Sequence, residues 1–157
     1  MDELVLDTSY LLPIFGIKLE FRDFERVFPT LLRKYSVVYN PASLVEAKWI
    51  TLRLARSNVG SRDAILQAYR LGLRGLEAEP GLRPSSLTDE RVEDIADGLL
   101  EHERLGDYFD RIIYSTAVSR ECALLTEDRE LQDIWKRSGE KRLEKVVTWS
   151  DVLQLLS

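Results

Sequence analysis

The chain has 157 residues, 22 basic against 27 acidic, giving a formal charge of −5 with 45% hydrophobic and 31% charged side chains. A chain of this length buries roughly 70% of its unfolded surface on folding, so it needs no metal or disulfide merely to fold, and its one cysteine, Cys122, excludes an intramolecular disulfide framework. A pI near 5.1 excludes nucleic-acid binding by net charge alone, and no apolar run approaches the roughly 20 residues of a bilayer span.

The longest apolar candidate, Tyr10 to Ile17, holds Pro13 and Gly16 and stops at Lys18. Met1-Asp2-Glu3 lacks the positive flank of a signal peptide, so the expectation is a cytoplasmic protein with no membrane partner.

In chain order, Leu4-Val5-Leu6 reads as a strand ending in Asp7-Thr8-Ser9, followed by a helix that Pro13 and Gly16 keep short. Phe21, Phe24, Val27, Phe28, Leu31 and Leu32 recur at helical spacing and predict a helix from about Arg22 to Lys34 despite Pro29. Val37-Val38-Tyr39 is the next strand. Asn40-Pro41 supplies an N-cap and a first-turn proline for a long helix from Ala42 to about Arg56. Ser61 is read as the cap of a helix from Arg62 to about Leu73, closed by Gly72 and Gly75. Leu82 to Leu87, interrupted by Pro84, is an edge strand, and acidic and apolar helices follow at Asp89–Arg104 and Asp107–Arg120. Cys122 to Thr126 is a buried strand, Glu130–Arg137 a short helix, Val146-Val147-Thr148 a last strand, and Asp151–Leu156 a terminal helix capped by Ser150. Strands alternating with helices predict a single α/β domain over residues 1–157, with a central parallel sheet of four to five strands flanked by helices.

In an open parallel sheet, ligands gather outside the carboxyl ends of the strands. Asp7 ends the first strand and Asp128 follows the Cys122–Thr126 strand by two residues. A helix N-cap explains either one alone, whereas two in equivalent positions suggest more. Glu46 shares a helical face with Ala42, Trp49 and Ile50, and Asp110 shares one with Ile113, Tyr114 and Ala117, where apolar residues are expected. Pairing with an arginine such as Arg53 or Arg111 is the plain explanation for each. Brought together, the four would form an acidic pocket whose charges repel unless a cation shares them. Hard oxygen donors without His or Cys point to Mg²⁺ or Mn²⁺ rather than zinc. His102 is alone on an acidic helix and Cys122 lies in an apolar strand, so no zinc set and no nucleophile with a partner base is present.

The order Asp7, Glu46, Asp110, Asp128 and its local wording resemble the PIN-domain ribonuclease family. The match rests on Val5-Leu6-Asp7-Thr8-Ser9, Ser43-Leu44-Val45-Glu46, Asp110-Arg111-Ile112-Ile113-Tyr114-Ser115-Thr116-Ala117 and Leu124-Leu125-Thr126-Glu127-Asp128-Arg129-Glu130-Leu131, spanning nearly the whole chain. Length and compactness look most like the VapC toxin of VapBC toxin–antitoxin pairs. The resemblance implies a Mg²⁺- or Mn²⁺-dependent endoribonuclease with metal held by Asp7, Glu46, Asp110 and Asp128, Glu46 positioning or deprotonating the attacking water. Thr8 and Thr126 would orient neighbouring carboxylates, or simply cap. Homodimerisation and capture by an antitoxin protein are further expectations from the resemblance. Arg111 departs from the small residue expected there, Asp107 is read as a helix N-cap, and Glu127 has no assigned role.

Charge is uneven. Arg53, Arg56, Arg62, Arg70, Arg74 and Arg83 stand against Asp63, Glu77 and Glu79, while nine acids between Asp89 and Asp110 face only Arg91 and Arg104. Arg53 and Arg56 continue the Glu46 helix and are the candidate contacts for RNA phosphates; a solvated helix laced with ion pairs is the alternative. Val27, Phe28, Leu31, Leu32 and Trp49 serve either a core or an interface. The other function class is a catalytically silent PIN-like RNA- or protein-binding module. A phospho-accepting receiver domain would want a paired acid after the first strand and a lysine after a late strand, and neither occurs. A DNA flap nuclease would carry additional domains.

Overall fold

The computed structural model describes residues 1–156. Strands β1 (Glu3–Leu6), β2 (Ser36–Tyr39), β3 (Leu82–Pro84), β4 (Ala123–Leu125) and β5 (Lys145–Val147) form one sheet in the order β3-β2-β1-β4-β5. Every pairing is parallel, with Val5 opposite Val38 on one side and Leu124 on the other. Seven α-helices cover the sheet among the described residues: α1 (Phe24–Lys34), α2 (Ala42–Ser57), α3 (Arg62–Ala78), α4 (Glu90–Glu103), α5 (Tyr108–Ser119), α6 (Arg129–Ser138) and α7 (Trp149–Leu155). Short 3₁₀ turns follow β1 at Thr8–Tyr10 and Leu12–Phe15.

Side chains alternate across a strand, so a sheet covered on both faces needs apolar residues at successive positions. Leu4, Leu6, Val37, Tyr39, Ala123 and Leu125 pack with Phe28, Leu31, Trp149 and Val152 on one face. Val5, Val38 and Leu124 pack with Ile113, Tyr114, Ala117, Leu131 and Ile134 on the other. From β1 the chain steps outward to β2 and β3, then returns to lay β4 and β5 on the opposite side. The strand order therefore reverses between β1 and β4, and the crevice at their carboxyl ends is where such a sheet accepts a ligand. Among the described residues no helix is long and apolar enough to cross a membrane.

Several boundaries differ from the sequence expectation. Helix α3 runs through Gly72 and Gly75 to Ala78. Gly72 is needed for space, since a Cβ there would stand 2.3 Å from the Ile14 carbonyl oxygen. Ser61 makes no side-chain cap bond to α3. Helix α7 is capped by Thr148, not Ser150, in a reciprocal box with Asp151. Asn40 does serve the start of α2, its Oδ1 accepting from Ala42 N at 2.8 Å, while its amide donates to Leu87 O and Thr116 Oγ1 at 2.9 Å each. Pro29 sits inside α1 on the solvent side, where the carbonyl it leaves unbonded can be hydrated.

Candidate active site

Four elements meet at the β1/β4 crevice. Asp7 leaves β1 as the N-cap of the first 3₁₀ turn, its Oδ1 accepting from Thr8 N at 2.6 Å. Asp128 leaves β4 as the N-cap of α6, its Oδ1 accepting from Leu131 N at 3.0 Å. Capping accounts for one oxygen of each carboxylate. Thr126 ties the two together: its hydroxyl donates to Asp7 Oδ2 at 2.6 Å and accepts from Asp128 N at 3.0 Å. The Thr126 side chain thus orients one acid directly and the backbone of the other. Thr8 is buried as well, its hydroxyl facing the Glu46 carboxylate without closing a short hydrogen bond.

Glu46 enters from the second turn of α2 and Asp110 from the first turn of α5, where free amides and the helix dipole ease a negative charge. Asp107 caps α5, accepting from Phe109 N at 2.8 Å and Asp110 N at 3.3 Å. Glu46 Oε2 is buried without a hydrogen-bond partner.

These carboxylates sense one another. Burial, then the charges of Glu46 and Asp128, pushes Asp7 from 3.8 up to about 6, against the opposing bonds from Thr126 and Thr8. Burial, followed by the charges of Asp7, Asp107, Asp128 and Glu46, pushes Asp110 up to about 7. Glu46 is also raised, by burial first and then by Asp107, while the nearby Thr8 hydroxyl and the Arg53 charge act in the other direction. Asp7, Glu46, Asp110 and Asp128 therefore share one acidic crevice, with Asp107 at its edge.

The arginine pairings considered for these acids do not form. Arg111 turns the other way and donates to Leu105 O and Gly106 O at 2.8 Å each, bracing the loop between α4 and α5. Arg53 and Arg56 stay exposed on α2 and line a groove of about 550 Å³ with Glu46, Trp49, Ile50, Leu52, Asp107 and Phe109. Trp49 is 62% exposed and is not a core residue. Helical spacing placed it beside Ile50 and Ala42 but could not reveal that packing against Phe109 of α5 leaves most of it exposed.

The donor set fits a hard divalent cation. It is all oxygen, one buried carboxylate oxygen closes no hydrogen bond, and burial followed by repulsion from the neighbouring acids raises Asp7 to about 6 and Asp110 to about 7. As the side chains stand, no group of three or more His, Cys, Asp or Glu among the described residues is close enough together to hold a metal ion. Cys122 is buried, and burial pushes its thiol up to about 12, so no thiolate is available.

Glu127 is the acid whose position sequence reasoning left without a role. Its Oε1 accepts from the Tyr10 hydroxyl at 2.5 Å and from Trp149 N at 2.6 Å, fastening the turn after β1 to α7. Only its spacing from distant aromatics decides this, and sequence does not carry that information.

The PIN domain family model matches residues 4–136. No curated protein matches the chain significantly. Among solved structures the chain is similar to PAE2754 from Pyrobaculum aerophilum, with TM-score 0.64 and 16% identity over 99% of this chain and 95% of that one. It is similar also to VapBC2 from Rickettsia felis, solved bound to a promoter DNA fragment, with TM-score 0.61 and 14% identity over 94% and 98%. A toxin–antitoxin complex from Klebsiella pneumoniae gives TM-score 0.55 and 18% identity over 93% and 97%. At these identities the likeness is one of fold. The family match covers most of the chain and contains all four carboxylates of the crevice: the chain belongs to the PIN domain family.

Proposed function

We propose that the protein is a Mg²⁺- or Mn²⁺-dependent endoribonuclease that hydrolyses RNA phosphodiester bonds at the crevice of Asp7, Glu46, Asp110 and Asp128. The observation that carries this reading is the meeting of four carboxylates from four separate elements at the strand-order reversal, two of them with pKa values of about 6 and 7. Such mutual repulsion has a use when a cation and a phosphate are to be held.

Asp7 and Asp128 would be the principal metal ligands, with Asp110 completing the set. A bound divalent cation would polarise the scissile phosphate, acidify a coordinated water and neutralise developing charge. Thr126 keeps Asp7 and the start of α6 in register, and Thr8 flanks Glu46. Glu46, raised by burial and with one oxygen unpartnered, holds or accepts a proton from the attacking water. Arg53 and Arg56, on the helix that carries Glu46, take neighbouring phosphates. Similarity to toxin–antitoxin structures supports a toxin role with an antitoxin partner; a homodimer in the cytoplasm belongs to the same proposal.

The test is incubation of purified protein with mixed structured and single-stranded RNA in Mn²⁺, Mg²⁺ or EDTA, beside Asp110→Asn. Cleavage that needs the cation and vanishes in the variant is expected. Cleavage retained in EDTA or in Asp110→Asn removes this site from the chemistry, and absence of cleavage on every RNA favours a silent binding module.

A further inference from the structure

We propose that the groove walled by Trp49 and Phe109 is a subsite for an unstacked base of single-stranded RNA, with Arg53 and Arg56 on its flanking phosphates. The inference rests on the ribonuclease reading and adds which residues outside the acidic crevice hold the strand.

Trp49 is the starting point. A tryptophan is large and apolar, and the protein has buried another where it could: Trp149 is 4% exposed and enclosed by Tyr10, Phe21 and Phe24. Trp49 instead is 62% exposed on α2, one turn after the 49% exposed Val45. Its ring contact is with Phe109 of α5, centroids 6.1 Å apart and planes at 72°. An edge-to-face pair holds a ring in place while leaving flat aromatic surface open to a further stacking partner.

The surroundings select the partner. Glu46 belongs both to the acidic crevice and to the groove lining, so the groove opens directly beside the proposed scissile position. At the Glu46 and Asp107 end the lining is negative; about two and three turns further along α2 it becomes positive at Arg53 and Arg56. A polyanion whose reacting phosphate sits among the acids, with a cation, can lay later phosphates on those arginines and turn the intervening base onto Trp49. About 550 Å³ is ample for one nucleotide unit. Bases in a duplex are paired and stacked and cannot reach an aromatic face, so the subsite discriminates against double-stranded RNA.

The experiment measures binding by fluorescence anisotropy in the non-cleaving Asp110→Asn background with Mg²⁺. The probes are a short labelled RNA of mixed sequence, the same RNA annealed to its complement, and poly-glutamate. The single strand is expected to bind about tenfold or more tighter than the duplex, and Trp49→Ala to lower single-strand affinity by about tenfold or more while Trp49→Phe restores most of it. Removing both Arg53 and Arg56 as glutamines is expected to flatten the salt dependence by about two phosphate contacts. Since Trp49 is exposed, these variants keep the fold, which circular dichroism verifies. Equal affinity for single strand and duplex, no RNA binding, wild-type affinity in Trp49→Ala, or equally tight Trp49-dependent binding of poly-glutamate would each overturn the subsite. Metal-dependent cleavage by the unmodified protein with binding indifferent to Trp49 removes the subsite and keeps the nuclease. Trp49-dependent single-strand binding without cleavage of any RNA does the reverse.

Discussion

The Thr126 hydroxyl donates to Asp7 Oδ2 at 2.6 Å while accepting from Asp128 N at 3.0 Å, so one side chain at the end of β4 holds the exits of β1 and β4 in a fixed relation. Thr126→Val keeps the shape and removes both bonds. It is expected to cost about 1–3 kcal/mol in stability, to push Asp7 further up, and to weaken Mn²⁺ binding about 10- to 100-fold. Thr126→Ser should recover most of the affinity. Titration calorimetry with Mn²⁺ decides: a valine variant with unchanged affinity limits Thr126 to capping.

The acid cluster makes stability depend on pH in a defined direction. In the metal-free folded protein Asp7 and Asp110 hold protons to about pH 6 and 7, whereas in the unfolded chain they release them near 3.8. Their contribution is fully present below about pH 4, declines as pH rises, and is lost above about pH 7. Asp110→Asn removes one repelling charge. Without metal its melting temperature relative to the unsubstituted protein should be level at pH 4 and higher by a few degrees at pH 7.5, on the order of 1–2 kcal/mol after solvent screening. Added Mn²⁺ should stabilise the unsubstituted protein more at pH 7.5 than at pH 5, because its ligands must be deprotonated, and should do little for the variant. Thermal melts at the two pH values with and without Mn²⁺ measure this. A pH-independent difference would mean the carboxylates do not interact.

What sequence reveals is what local chemistry dictates. The apolar runs Leu4–Leu6 and Ala123–Leu125 mark strands buried on both faces, and the acids immediately after them fall at the crevice because chain polarity and a parallel sheet leave no other end for them. Facts fixed by distant approach are hidden. Gly72 reads as a helix end until the Ile14 carbonyl is seen against it, and Trp49 reads as either core or interface until it is seen mostly exposed with Phe109 beside it. The α7 start lies between these cases. Thr148 and Asp151 have the capping-box spacing, a legible signal that competes with Ser150.

Gly72 and Gly75 form an internal control within α3. An alanine Cβ at 72 would meet Ile14 O at 2.3 Å and Phe15 Cδ1 at 2.8 Å, whereas at 75 nothing lies within 4 Å. Gly72→Ala is expected to destabilise by about 3 kcal/mol through overpacking against backbone. Gly75→Ala should stabilise by about 0.5–1 kcal/mol through helix propensity. Urea unfolding of the two variants checks both signs, and a tolerated alanine at 72 would show that the Leu12–Phe15 turn yields.

Adjacent acids on one turn are expected to separate by role. Glu127 joins the Tyr10 hydroxyl to the α7 backbone, and the Tyr10 phenol is driven well above its ordinary range by burial and then by that bond, so it stays a donor. Glu127→Ala strands the buried Tyr10 hydroxyl and leaves the first amide of α7 without its acceptor, an expected loss of about 2–3 kcal/mol with cleavage per folded molecule unchanged well below the melting point. Asp128→Asn keeps a good N-cap for α6, so stability changes by a few tenths of a kcal/mol, while cleavage should disappear with the lost carboxylate charge. Melts and cleavage rates on the same preparations give the comparison. Loss of cleavage in a folded Glu127→Ala, or its survival in Asp128→Asn, would exchange the roles of the two.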